Sequence, residues 1–265
     1  MQAMLNIAIR AARRAGTIIV RSIEKRQDLH VESKAKNDFV SEVDRQAEAA
    51  IISILRKAYP AHAILAEEGG AQKGNEYQWI IDPLDGTTNF LHGNPQFGVS
   101  VALAKSSRLE QAVIYDPLRD ELYTASRGEG ALLNDRRIRV SGLSSLDGAL
   151  LGTGFPFRMQ EHIGTYLDTF KALYPLVSDI RRAGSAALDL AYVAAGRLDG
   201  FWELGLKKWD MAAGVLLIQE AGGFSTDFGG GNDYLKTGNI VAASPRVHKE
   251  ILQTIQPYLS KELKK

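Results

Sequence analysis

Residues 79–89, Trp79-Ile80-Ile81-Asp82-Pro83-Leu84-Asp85-Gly86-Thr87-Thr88-Asn89, constrain this chain more than any other stretch. The apolar, β-branched run predicts a buried strand. It drives straight into Asp82-Pro83, and a second carboxylate follows at Asp85. Two carboxylates at the end of a buried strand are costly unless something cationic lies between them. A hard divalent cation such as Mg²⁺ meets that need, because it takes oxygen ligands and keeps open positions for phosphate oxygens. Pro83 fixes its own φ and has no N–H, which stiffens the segment. Gly86 lets the backbone approach an anion closely, and Thr87 adds a hydroxyl. Asp, Pro, Gly and Asn are also turn residues, so a strand followed by an Asx-type turn stands as the alternative for this stretch alone.

The same pattern recurs. Strand-like Ala63-Ile64-Leu65-Ala66 runs into Glu67-Glu68-Gly69-Gly70, again a buried strand, then acids, then glycine. A third acidic site, Asp210, stands just before a helix predicted over Met211–Ala221, where it reads equally as that helix's N-cap. Glu203 ends a strand, Gly200–Leu204, beside Phe201 and Trp202. Asp44 follows Ser41 at the spacing of a capping box that opens a helix running to Tyr59.

Around these sites the chain alternates regular elements. Leu5, Ala8, Ala11, Ala12, Ala15, Ile18, Ile19 and Ile23 predict an amphipathic first helix. Its arginines resemble those of a transit peptide, but the apolar spacing assigns it to the fold and the chain to the cytoplasm. A charged segment over 25–38 is expected to be a mobile surface loop. Residues 97–140 predict an antiparallel meander of strands with tight turns. A polar stretch over Ser141–Asp147 marks the join between an N-terminal α+β lobe, 1–145, and a C-terminal α/β lobe, 146–265. Beyond it come strand Ala149–Phe155, helices Ile163–Leu173 and Ser185–Ala195, strands Phe224–Asp227 and Ile240–Ala243, and a last helix from Pro245. Helices covering mixed sheets predict a layered α/β architecture.

Composition excludes several classes. With 265 residues, a net charge of +1 and no cysteine, the chain has a sizeable core and offers no nucleic-acid-binding field, disulfide or cysteine nucleophile. No apolar run approaches the roughly 20 residues of a membrane span, so no membrane association is expected. His30, His62, His92, His162 and His248 lack zinc-helix spacing. A phosphoaspartate mechanism wants its nucleophile two residues before Asp85, where Pro83 stands.

Taken together, Glu67-Glu68, the Asp82–Asn89 segment and Trp209-Asp210-Met211-Ala212-Ala213-Gly214 resemble the signature motifs of the inositol monophosphatases, in the Mg²⁺-dependent, lithium-sensitive phosphatase superfamily. The resemblance covers essentially the whole chain. Gly184-Ser185-Ala186-Ala187-Leu188-Asp189-Leu190-Ala191-Tyr192 and Met4-Leu5-Asn6-Ile7-Ala8 resemble its bacterial SuhB branch in particular. Gly69 departs from the usual serine, and Lys207-Lys208 precede Trp209; neither removes a metal ligand.

The resemblance implies a layered αβαβα sandwich, usually dimeric, that hydrolyses myo-inositol monophosphate and related small polyol or sugar phosphates with two to three Mg²⁺ ions. Glu67, Asp82 and the carbonyl of Leu84 would hold the first ion, and Asp82, Asp85 and Asp210 the second. Glu67 would also serve a weaker third ion. Thr87, hydrogen-bonded to Asp44, would activate the attacking water. The N–H groups of Gly86 and Thr87 would hold phosphate oxygens. Glu203, Asp85, Asp210 and the backbone at Gly184, Ser185 and Ala186 would contact the substrate. A lysine reaching the site from the 25–38 segment is either Lys34 or Lys36. The SuhB branch further implies RNA polymerase and ribosomal RNA antitermination factors as partners. The arginine clusters 136/137/139 and 181/182 are candidate contact surfaces, with a solvated face or a dimer salt bridge the favoured alternative for each.

Overall fold

The computed structural model describes residues 2–24, 31–35 and 38–264; for 31–35 and 38–40 the description is of the backbone. In chain order the elements are α1 (Gln2–Ser22), β1 (Val31–Ala35), β2 (Asp38–Ser41), α2 (Glu42–Ala58), β3 (Ala63–Ala66), β4 (Gly70–Gln72), β5 (Tyr77–Asp85) and α3 (Thr87–His92). Then come β6 (Gly98–Lys105), β7 (Arg108–Asp116), β8 (Glu121–Ser126), β9 (Gly130–Leu133), β10 (Arg136–Arg137), β11 (Leu150–Thr153), α4 (Ile163–Leu173) and β12 (Asp179–Arg181). The chain closes with α5 (Ala186–Ala194), β13 (Gly200–Glu203), α6 (Lys208–Glu220), β14 (Phe224–Thr226), α7 (Tyr234–Thr237), β15 (Ile240–Ala243) and α8 (Pro245–Ile255).

The side-chain period of each strand builds the layers. Along β5, Trp79 and Ile81 pack with the buried faces of α1 and α2, while Ile80 between them faces α5 and α6. β7 repeats this with Val113 and Tyr115 on one side and Ala112 and Ile114 on the other. These strands belong to an eight-stranded sheet ordered β10-β9-β8-β7-β6-β5-β3-β4. A second, five-stranded sheet is ordered β12-β11-β13-β15-β14. Its Phe201, Ile240 and Ala242 face α5 and α6, and its Trp202, Val241 and Ala243 face α4 and α8. Period-2 alternation buries both faces of both sheets. The result is αβαβα: α1/α2, the large sheet, α5/α6, the small sheet, α4/α8.

The meander expected over 97–140 is present as the antiparallel run β6 to β10. The expected loop over 25–38 is not wholly loop: β1 and β2 pair antiparallel, a hairpin whose charged, weakly alternating sequence carries no strand signal. Lys36 lies outside the described residues, and the Lys34 side chain is not described. The short elements α3, β4, β12 and α7 went unpredicted, being too brief to show a period.

Helix α6 begins three residues earlier than its hydrophobic pattern suggests. Lys207 is its N-cap and Asp210 its third residue, so Asp210 is not the N-cap. Its carboxylate instead reaches back to accept from the Lys207 N–H at 2.7 Å, the acidic half of a capping box.

Gly214 sets how closely α5 and α6 approach, since a Cβ there would fall 2.5 Å from Leu190 Cβ. Gly214→Ala should therefore lose roughly 1–3 kcal/mol of stability to overpacking. That sign is opposite to the ~1 kcal/mol gain expected from helix propensity alone. Urea unfolding reads it, and a stabilised variant would contradict the close approach.

Candidate active site

The site forms where strand ends and helix starts meet between the two sheets. β5 carries two of its acids, and a β-bulge aims them. Asp82 pairs with Ser100 and Asp85 with Gly98, so three steps along β5 match two along β6. In a flat strand residues three apart point to opposite faces, whereas the bulge turns both carboxylates the same way. Pro83 occupies the bulge, where no ladder N–H is required. The Asx feature is present as well, the Leu84 N–H donating to Asp82 Oδ1 at 3.0 Å.

Asp82, Asp85 and Asp210 place one carboxylate oxygen each within 4.8 Å of one another. Glu67 stands outside that group but lines the same cleft, of about 690 Å³, and its charge acts on all three. Glu48 of α2 shapes the Glu67 loop by accepting from the Glu68 and Gly69 N–H groups at 2.8 and 2.6 Å. Asp85 Oδ2 accepts from Ser185 Oγ at 2.6 Å and the Ala187 N–H at 2.7 Å, which docks the start of α5 on the cluster. Asp210 Oδ2 also accepts from Arg158 Nη1 at 3.0 Å. Asn89 holds the α5 approach by donating to the carbonyls of Ala183 and Gly184.

Burial dominates the electrostatics. Asp82 is pushed well above the usual carboxylate range by burial first and then by Glu67, Asp85 and Asp210. Burial and Asp210 raise Asp85 to about 7, against the lowering bonds from Ser185 and Ala187. Burial also raises Asp210, and Arg158 opposes the shift. Such acids cannot all ionise without a cation. Their hard oxygen donors, with the Leu84 carbonyl at the bulge, fit a divalent metal ion.

Asp44 performs both tasks its sequence position allows. Its Oδ2 accepts from the Ser41 N–H at 2.9 Å, closing the cap of α2, and its Oδ1 accepts from Thr87 Oγ1 at 2.8 Å. Thr87 Oγ1 also lies 3.1 Å from the Leu84 carbonyl oxygen. Burial raises Asp44, against its bonds from Ser41 and Thr87. Gly86, with φ +99°, packs so tightly that a Cβ would fall 2.8 Å from the Gln96 carbonyl oxygen. Glu203 is buried at the end of β13, and a Cβ on Gly154 would overlap its carboxyl group at 2.0 Å.

Every candidate from the sequence whose side chain is described lines or borders this cleft. The sequence reading missed Glu48, Arg158 and Asp189, and gave Arg182 only as part of a candidate contact surface. Arg182 lines the cleft, with its guanidinium 5.0 Å from the Phe155 ring centroid, so it is not simply an outer contact. Neighbouring Arg181 is exposed and pairs with Asp179. Burial was the available signal for Asp189, an acid inside the otherwise apolar Ala186–Ala194.

Paired strand-end carboxylates between the sheets of an αβαβα sandwich define a metal-dependent phosphatase. The chain belongs to the inositol monophosphatase family, whose pattern matches residues 1–260. It is 57% identical over 271 residues to "Nus factor SuhB" of Pseudomonas aeruginosa, covering 100% of each chain. It superposes on the extragenic suppressor protein suhB of Bartonella henselae with a TM-score of 0.94 at 47% identity, covering 96% of this chain and 98% of that one. The inositol monophosphatase of Anabaena (Nostoc) sp. PCC 7120 matches at a TM-score of 0.86 and 40% identity, covering 97% and 96%. Among the described residues no helix is long and apolar enough to cross a membrane.

Folding keeps a proton on Asp85 up to about pH 7, whereas the unfolded chain releases it near 3.8. The folded state therefore binds more protons across that window, and metal-free stability should fall as pH rises from about 4 to about 7. Asp85→Asn should remove this contribution. Melting temperatures in excess chelator across the window read it, and a slope unchanged by the variant would contradict the assignment.

Proposed function

We propose that this phosphatase uses Mg²⁺ to hydrolyse myo-inositol monophosphate and related small polyol or sugar phosphates. The observation that carries the reading is the Thr87–Asp44 pair, held at 2.8 Å beside the carboxylate cluster. Glu67, Asp82, Asp85 and Asp210, with the Leu84 carbonyl, are the ligand set for two to three ions. When bound, the ions supply Lewis acidity and neutralise phosphate charge.

The chain's own groups do the rest. Thr87 Oγ1 donates to Asp44, which leaves its lone pairs free to accept a proton from the attacking water. As the water oxygen attacks phosphorus, that proton passes to Thr87 and the Thr87 proton to Asp44. The ester P–O bond breaks with its electron pair going to the alcohol oxygen, and the alkoxide leaves by taking a proton from solvent water. Burial readies Asp44 as the acceptor by raising its proton affinity. The N–H groups of Gly86 and Thr87, at the start of α3, face the phosphate oxygens. The backbone from Gly184 to Ala186, with Asp85 and Glu203, borders the alcohol. Uncatalysed monoester hydrolysis demands up to ~10²¹-fold acceleration, which charge stabilisation and positioning must supply.

A second reading is favoured by the name "Nus factor SuhB" carried by the Pseudomonas aeruginosa relative. In it the protein works with RNA polymerase and antitermination factors in the cytoplasm, and catalysis is secondary. A homodimer is expected in either case from the family resemblance. Asp85→Asn separates the readings. Rescue of a deletion strain by this variant would favour the partner role, and failure to rescue with intact folding and association would favour hydrolysis.

Thr87→Ala and Asp44→Asn should each lower kcat roughly 10²–10⁴-fold. Thr87→Ala leaves the cap of α2 in place, so its melting temperature should hardly move. A double variant no slower than the worse single one is expected for groups that act as a unit. Wild-type turnover in both single variants would sink the proton path.

A further inference from the structure

The alcohol side of the cleft holds a buried carboxylate with no role in the chemistry above. Asp189 of α5 is 2% exposed and lines the cleft beside Glu203, which is 6% exposed. Among the described residues no side-chain donor or backbone N–H bonds either carboxylate. An unpaired, desolvated carboxylate is costly, so both acids invite an outside donor. Asp85, by contrast, already accepts two bonds on Oδ2.

The backbone makes room for the pair deliberately. Gly152 lies in β11 and Gly154 is the first residue past its end. A Cβ on Gly154 would collide with the Glu203 carboxyl group, and one on Gly152 would touch Asp189 Cβ at 3.7 Å. Asp189 and Glu203 therefore both lie against the C-terminal end of β11, beside glycines two residues apart. Arg182 is the cation whose field acts on both, and no ion pair within 4.0 Å joins it to either among the described residues.

We propose that Asp189 is a second polyol-recognising residue, pairing with Glu203 to accept hydrogen bonds from two different hydroxyls of the leaving alcohol. The inference rests on the phosphatase reading and deepens it. Burial raises both acids well above the usual carboxylate range, with Arg182 opposing it, yet each keeps at least one acceptor oxygen in either protonation state, so the pair selects an alcohol that presents several hydroxyls. An ester whose alcohol carries no further hydroxyl gains nothing from the pair. A purely structural role is also available, because Asp189 lies in the first turn of α5, where a negative charge favours the helix. That role predicts loss of stability without discrimination between alcohols.

The test compares myo-inositol monophosphate with phenyl phosphate, both with saturating Mg²⁺. Asp189→Leu keeps the branched shape and removes every acceptor. It should raise KM for the inositol ester at least about tenfold, with kcat and the half-saturating Mg²⁺ concentration little changed. KM for phenyl phosphate should stay at the wild-type value. Asp189→Asn, which keeps one acceptor oxygen, should fall between, and it decides the question if the leucine variant does not fold. Equal effects on both esters, or none on either, would overturn the assignment while leaving the phosphatase reading intact. Wild-type protein that hydrolyses neither ester would overturn both.

Discussion

Everything in this molecule answers to one constraint: three aspartates from two distant parts of the chain must share a space less than 5 Å across, away from bulk water. Asp82, Asp85 and Asp210 repel one another and lose hydration together. The fold does not relieve that repulsion by separating them. It feeds donors to single oxygens of Asp82, Asp85 and Asp210 (Leu84 N–H, Ser185, Ala187 N–H, Arg158, Lys207 N–H) while one oxygen of each stays within 4.8 Å of the others. A protein that spends two sheets and a bulge on assembling mutually repelling acids is built to receive cations.

The same economy joins cap to chemistry. Asp44 closes the first turn of α2 with one oxygen and holds Thr87 with the other. Its orientation is thus fixed by secondary structure rather than by a flexible loop. Asp210 is treated likewise, tied back to the start of α6 while facing the cluster. Side chains anchored to helix starts in this way lose little freedom when a ligand binds, which is the physical content of preorganisation.

Much of this was legible in the sequence, because the site is written in short local runs. The Glu67-Glu68, Asp82–Asn89 and Trp209–Gly214 segments each join an apolar element to acids, and that pattern survives without knowing the fold. The layered architecture followed from alternating periods. What could not be read depended on long-range packing. Arg158 meets Asp210 across 52 positions and Glu48 reaches the Gly69 N–H across 21, with no local spacing to announce either. The helix start at Lys208 was hidden because Lys207 and Lys208 break the apolar pattern before Trp209. Asp189 sat inside a recognised motif, yet only the folded chain shows that it lines the cleft beside Gly152.

The central claim is that the carboxylate cluster exists to bind divalent cations. Calorimetric titration of the chelator-stripped protein with Mg²⁺, run in buffers of different ionisation enthalpy, tests it most directly. The account predicts saturable binding of more than one ion per chain, with protons released as Asp82, Asp85 and Asp210 give them up. Absence of saturable binding, or binding without proton release below about pH 7, where Asp85 carries its proton, would contradict it.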